Sequence, residues 1–279
     1  MTTEEAMKQV EAGLEALSES LKAGKSETLQ KFIETMARFH KYSFQNALLI
    51  FAQMQDATHV AGFGTWKKLD RFVKKGERGI AIIAPMVARK NSEGEPGESS
   101  GENKKYIHGF RVAYVFDVSQ TEGAVLPEFG SVVGEPGEWL SHLEGLTREL
   151  RIVLQYCSIP GGSYGVSLGG MIRVRDSLHP NETFAVLAHE LAHELLHKDI
   201  ERRQTTTVQV RETEAEAVAY AVCRACAMDT TSRSADYIQL WQGSPEMLHR
   251  SLVAVRDTAA FIIGKLYQRS EQRSSKLVA

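Results

Sequence analysis

The stretch from Phe184 to His197, FAVLAHELAHELLH, limits what this chain can become more than any other. His189 and His193 stand four residues apart, and at about 100° per residue an α-helix brings both imidazoles to one face. Glu190 adjoins the first of them. This is the HExxH arrangement: two neutral imidazoles hold zinc, and the glutamate takes a proton from a water on the same ion. The surroundings predict a helix, with Asn181 as N-cap, Glu182 in the first turn, and Leu187, Leu191 and Leu195 recurring every four residues. His193, Glu194 and His197 form a second, overlapping HExxH. The first register is preferred, because Phe184 to Ala188 form an apolar lead-in that buries the turn before His189. The second would set Lys198 and Asp199 directly behind its last ligand. His197 is then a supporting histidine, a helix cap or a spare ligand.

Two histidines leave a catalytic zinc one protein ligand short. A second helix, Arg211 to Tyr220, offers Glu212, Glu214 and Glu216. Glu214 shares its face with Val218, Ala221, Val222 and Ala225, which must pack inward, and a carboxylate heading a buried face needs a cation. Glu212 and Glu216 lie on the adjacent face and fit better as solvated glutamates at a helix start. Glu214 is therefore the expected third ligand and Glu216 the alternative.

HELAH followed about twenty residues later by ETEAEAVAYAVC resembles the zincin metallopeptidases of the ImmA/IrrE type. Glu214-Ala215-Glu216-Ala217 and Tyr220-Ala221 match that pattern, so the resemblance also places the third ligand on Glu214. Val218 stands where the family often has Asn or Asp, which takes away a hydrogen-bonding group behind the ligands.

At 279 residues and 43% hydrophobic content the chain has material for two cores, and two domains are expected. The formal charge of −2 conceals a basic stripe. Between residues 60 and 90 eight lysines and arginines face only Asp70 and Glu77. Such a stripe on a near-neutral protein points to a polyanion. Trp66 precedes Lys67 and Lys68, and Phe63 and Phe72 interleave with the charges. Rings on which bases stack, beside cations that follow phosphates, are what single-stranded DNA requires. The candidate contacts are Trp66, Lys67, Lys68, Lys74, Lys75 and Arg78. The three cysteines, Cys157, Cys223 and Cys226, suit a reduced compartment, and the C-x-x-C pair reads as core. No apolar run reaches the roughly 18 residues of a membrane span, and no secretory stretch is evident, so a cytoplasmic protein without membrane partners is expected.

Along the chain, helices are predicted over residues 3–23, 26–40 and 42–53, and strands over 80–85 and 110–116 that pair with each other. The stretch between those strands, 91–105, is rich in Gly, Ser and Glu and reads as a mobile excursion; 122–137 reads as a connector. A helix over 138–155 follows, then a hairpin over 164–175 turning at Gly169-Gly170, then the two site helices, and a last helix over 245–267. A sheet edge beside the histidine helix would let an extended peptide lie across the site.

YSFQNALLIFAQ, GTWKKL, VKKGERGIAIIAP and VFDVSQTEG, in that order, resemble the N-terminal domain of ArdC-type antirestriction proteins, and the tail around Ala235 to Trp241 resembles theirs. The resemblance implies an α+β protein: an N-terminal helical/β domain binding single-stranded DNA over residues 1–125, then a small zincin-like metallopeptidase domain over 126–279. It implies Zn2+, with another divalent transition metal as the alternative, and a mobile-element protein that shields incoming single strands from restriction. The metal residues are His189, His193 and Glu214, with Glu190 as catalytic base. The competing expectations are a metalloprotease cleaving a regulatory or DNA-bound protein, and a DNA-binding protein with a structural metal.

Overall fold

The computed structural model describes residues 1–24, 26–89, 105–125, 136–159, 163–228 and 245–277. The stretch 91–104, most of the connector and the tail around 235–241 lie outside them. In chain order the first half carries α1 (Thr3–Lys22), α2 (Ser26–Arg38), α3 (Phe44–Gln53), β1 (Val60–Gly62), α4 (Phe63–Lys68), β2 (Arg71–Val73), β3 (Ile80–Arg89), β4 (Lys105–Asp117) and β5 (Thr121–Gly123). The second half carries α5 (Pro136–Glu149), β6 (Val153–Cys157), β7 (Gly165–Ser167), β8 (Met171–Arg175), α6 (Pro180–Leu196), α7 (Ile200–Thr205), α8 (Val208–Ala225) and α9 (Pro245–Leu277). The residues form two compact units, Met1–Gly13 with Leu48–Leu126, and Leu14–Ala47 with Pro127–Ala279. The last break falls after Leu126, and Leu14–Ala47 clusters with the second unit.

In the first unit β3 and β4 pair antiparallel, Ile80 opposite Val115, with a bulge between Met86 and Val87, and β1 lies along the other edge of β4. Asp117 locks the end of β4. Its buried carboxylate accepts the backbone N–H groups of Thr58 and His59 at 2.7 and 2.9 Å and caps the turn at Val118–Gln120. Trp66 is only 3% exposed, and its Nε1–H donates to the Phe116 carbonyl at 2.9 Å. It is therefore core and presents no face to a base, contrary to expectation. A ring flanked by lysines buries as readily as one in an apolar run, because the lysine stems can carry their charges outward around it. Lys67, Lys68, Lys74, Lys75 and Arg78 are exposed, as are Phe63 and Phe72 at 57% and 51%.

In the second unit β6, β8 and β7 form a three-stranded sheet with β8 in the middle, parallel to β6 and antiparallel to β7. The helix predicted to run to residue 155 ends at Glu149. Arg151 adopts a left-handed φ of 58° that breaks the helix, and the following Val153–Cys157 finds a parallel partner remote in sequence. α6 packs on β7, β8, α5 and α8, and α8 packs in turn on α2 and α9. The core is Leu29, Phe32 and Ile33 of α2 with Phe184, Leu187 and Leu191 of α6, all 0% exposed. The alanines of α8 (Ala215, Ala217 and Ala221, also fully buried) let neighbouring helices approach closely. Tyr220 and Arg224 of α8 both reach Glu34 of α2.

Candidate metal centre

α6 begins two residues earlier than Asn181 as N-cap would have it. His179 is the N-cap, Pro180 occupies the first helical position, and Glu182 closes a capping box. The helix then runs to Leu196, which places His189, His193 and His197 one above the other at successive turns.

Glu194, the acid of the overlapping register, is engaged with the β7–β8 turn. Its buried carboxylate accepts the N–H groups of Gly169 and Gly170 at 2.8 and 2.7 Å and the Ser167 hydroxyl at 2.7 Å. Both glycines have positive φ, 73° and 101°, which closes the tight β7–β8 turn and aims the two amides at α6. Glu194 thus anchors the hairpin. Glu190 lies under Gly165 at the start of β7, where burial raises its pKa against the pull of His189 and His193.

His189 Nε2 and His193 Nε2 stand 3.1 Å apart. Each is 3.5 Å from Glu212 Oε2. One donor atom from each of these residues lies within 4.8 Å of the others, a set that could hold a metal ion. A tetrahedral ion with bonds of 2.0–2.1 Å separates neighbouring donors by about 3.3 Å, so the spacing suits a small divalent cation. Hydrogen bonds to His189 and His193 hold Glu212 well below the usual carboxylate range. Burial pulls His189 down, but Glu212 and Glu216 outweigh it and push it up to about 10. Two imidazoles and two carboxylates crowded together in this way could hold a cation by their chemistry as well as by their spacing.

The outward nitrogens of the pair are occupied too. His189 Nδ1 lies 3.1 Å from Glu216 Oε2, and an ionised carboxylate can only accept, so Nδ1 carries a proton and Nε2 is the nitrogen that an ion would take in place of its own proton. Glu216 thus supplies behind the ligands the hydrogen-bonding group that Val218, fully buried in the core, had been expected to remove.

Glu214, the expected third ligand, does not join the pair; the carboxylate that stands beside both imidazoles is Glu212. Glu214 is 0% exposed and bonds to His197 Nε2 at 2.9 Å and to the Arg202 guanidinium at 2.8 Å. The premise that a buried carboxylate needs a cation was sound; the cation is Arg202, from α7, a helix the sequence did not suggest. Glu212 and Glu216, four apart, form the face of α8 turned to α6, and Glu214 lies about 200° round from Glu212. The available signal was that i, i+4 pairing: two carboxylates one turn apart on α8 mirror two imidazoles one turn apart on α6. Cys223 and Cys226 are buried and free, and burial pushes both thiols up, Cys226 to about 12.

Residues 1–116 match the family described as the N-terminal domain of anti-restriction factor ArdC. Residues 148–223, which include both site helices down to Cys223, match the IrrE N-terminal-like domain. The chain resembles the ArdC type. It pairs the ArdC N-terminal domain with an IrrE-like one, in that order. The metal-free crystal structure of the antirestriction ArdC protein from the R388 plasmid superposes with a TM-score of 0.50 at 20% identity, covering 83% of this chain and 86% of that one. The likeness is one of fold. The Mn(II)-bound structure of the same R388 protein gives 0.49 at 18% identity, over 81% of this chain and 85% of that one. An uncharacterized Bacillus anthracis protein, pXO2-81, is 26% identical over 86% of this chain. The chain spans about half the length of that curated relative, 48%. Among the described residues, no helix of this ArdC-type chain is long and apolar enough to cross a membrane.

Proposed function

We propose that this ArdC-type chain binds single-stranded DNA through its first unit and carries a zincin-type peptidase site in its second, with zinc as the ion. The observation that carries the metal reading is the convergence of His189, His193 and Glu212 on one point beside Glu190. A divalent ion held by His189, His193 and Glu212 would supply Lewis acidity, bringing the pKa of a nearby water from about 15.7 to near 7. Glu190 would accept a proton from water as it adds to the peptide carbonyl, and return it to the leaving nitrogen as the C–N bond breaks. A carboxyl whose pKa is raised by burial suits both halves of that exchange. A purely structural ion needs ligands but no base, so the retained Glu190 favours chemistry. β7 is paired only with β8 among the described residues. Its outer edge can therefore align an extended chain by main-chain hydrogen bonds.

Gly165 tests this arrangement. A Cβ there would stand 2.7 Å from both Glu190 Oε1 and Val186 Cγ1. Gly165→Ala is expected to keep the metal and to slow peptide hydrolysis on the order of 100-fold, because a shift of about 1 Å in a reacting group has that effect. Steady-state turnover beside metal analysis checks it; unaltered turnover means Glu190 has room to spare.

For the first unit, the family match and the exposed cations support the DNA reading. Phe63 and Phe72 take the stacking role that buried Trp66 cannot. The Lys74 ammonium donates to the Ser119 carbonyl at 2.8 Å, so it is positioned as well as charged. Charge reversal at Lys67, Lys68, Lys74 and Lys75 is expected to weaken single-strand binding at least about tenfold and flatten its salt dependence, by about 0.7 in log–log slope per lost phosphate contact. Fluorescence anisotropy across a salt series checks this, and an unmoved slope means the stripe is only a solvated face. On this reading the whole protein shields incoming single strands from restriction.

A further inference from the structure

We propose that His197 is a positioning residue in a chain His193–His197–Glu214–Arg202, buried at its two central members, that fixes His193 in the tautomer able to bind metal. The proposal rests on the metal reading above and deepens it. His193 Nδ1 lies 3.0 Å from His197 Nδ1. His197 Nε2 lies 2.9 Å from Glu214 Oε2, and Arg202 donates to Glu214 Oε1 at 2.8 Å. His197 is 3% exposed and Glu214 0%, so neither can exchange these partners for bulk water.

The protons can be assigned from the far end inward. Arg202 is always charged and can only donate, and it holds Glu214 as an acceptor. Glu214 therefore requires the His197 Nε2 to carry a hydrogen. A neutral imidazole has one N–H, so His197 Nδ1 presents a lone pair. His193 must then donate from Nδ1, and its Nε2 lone pair is left facing Glu212 and His189. At His189 the Nδ1 proton is held by Glu216 alone, which leaves Nε2 as its nitrogen for metal. The two ligands are thus set by different means: one by a carboxylate directly, the other by a carboxylate relayed through a third histidine. The relay has a geometric cause. Glu214 shares the α8 face of neither Glu212 nor Glu216, and an imidazole at the C-cap of α6 spans the gap.

The experiment uses the full chain, with Zn(II) affinity measured by competition against a chromophoric chelator and histidine tautomers read from long-range 1H–15N spectra of the metal-free protein. His197→Leu removes the acceptor, and is expected to weaken Zn(II) binding about 10- to 100-fold and to take His193 out of its single Nδ1–H tautomer. His197→Gln keeps a carbonyl acceptor and is expected to stay within about fivefold of the parent. It also serves as the well-folded control should the leucine variant be unstable. Glu214→Gln must set an amide NH2 against either Arg202 or His197, and is expected to fall between the two. Wild-type affinity with an unchanged His193 tautomer in His197→Leu would overturn the relay and leave the triad as a structural staple. If the parent chain takes up no Zn(II), the metal reading fails by itself, while the metal-free spectra still decide whether His197 sets the tautomer.

Discussion

Glu212→Ala is expected to lower the affinity of the chain for Zn(II) on the order of 1,000-fold, a loss of about 4 kcal/mol. Glu212 is the one anionic donor among the three that converge, and its oxygen is equidistant, at 3.5 Å, from the two imidazole nitrogens. Its side chain is 46% exposed, so the truncation opens no cavity and leaves no buried group unpaired. The loss is therefore a property of the site and not of the fold. Calorimetric titration of the metal-stripped chain measures it directly, with circular dichroism confirming that the helices persist. An affinity within about threefold of the parent would place the third ligand elsewhere. Among the described carboxylates Glu216 would then be the next to test, since it already touches His189.

Glu190→Gln has the second large effect, and it divides binding from chemistry. Glutamine is close to glutamate in shape and can still occupy the space under Gly165, so the metal content is expected to stay at the parent level. Cleavage of an unfolded protein substrate such as casein is expected to fall about 100- to 10,000-fold, the range over which a positioned general base contributes. Cleavage that survives the change would move the base to another group. Glu194 is a poor substitute, because its two oxygens are committed to the Gly169 and Gly170 amides and the Ser167 hydroxyl. A matched loss of metal and turnover would instead show Glu190 acting as a ligand.

The two predictions separate residues that the sequence presents as near equivalents. Four glutamates stand within reach of three histidines on α6 and α8, and each has a different duty. Glu212 faces the imidazole pair, Glu216 holds the outer nitrogen of His189, Glu214 is neutralised by Arg202, and Glu190 lies beneath the hairpin. Nothing in their residue type distinguishes them. Their duties follow from which way each side chain leaves its helix and what lies there.

What the sequence determined by itself is whatever depends on local periodicity. The i, i+4 histidines, the apolar stripes of α2 and α6 and the Gly169-Gly170 turn are all encoded within short windows, where backbone geometry leaves few alternatives. The ordered motifs that mark the ArdC type are equally local. The tertiary structure alone decided the rest. It set the rotation of α8 against α6, which brings Glu212 rather than Glu214 to the histidines, and it supplied Arg202 from twelve residues away as the buried carboxylate's cation. It also paired β6 in parallel with a strand across a long connection, and it turned Trp66 inward. Each of these depends on a partner distant in sequence, and a helix carries no mark of which neighbour its polar side chains will meet until the apolar faces have packed.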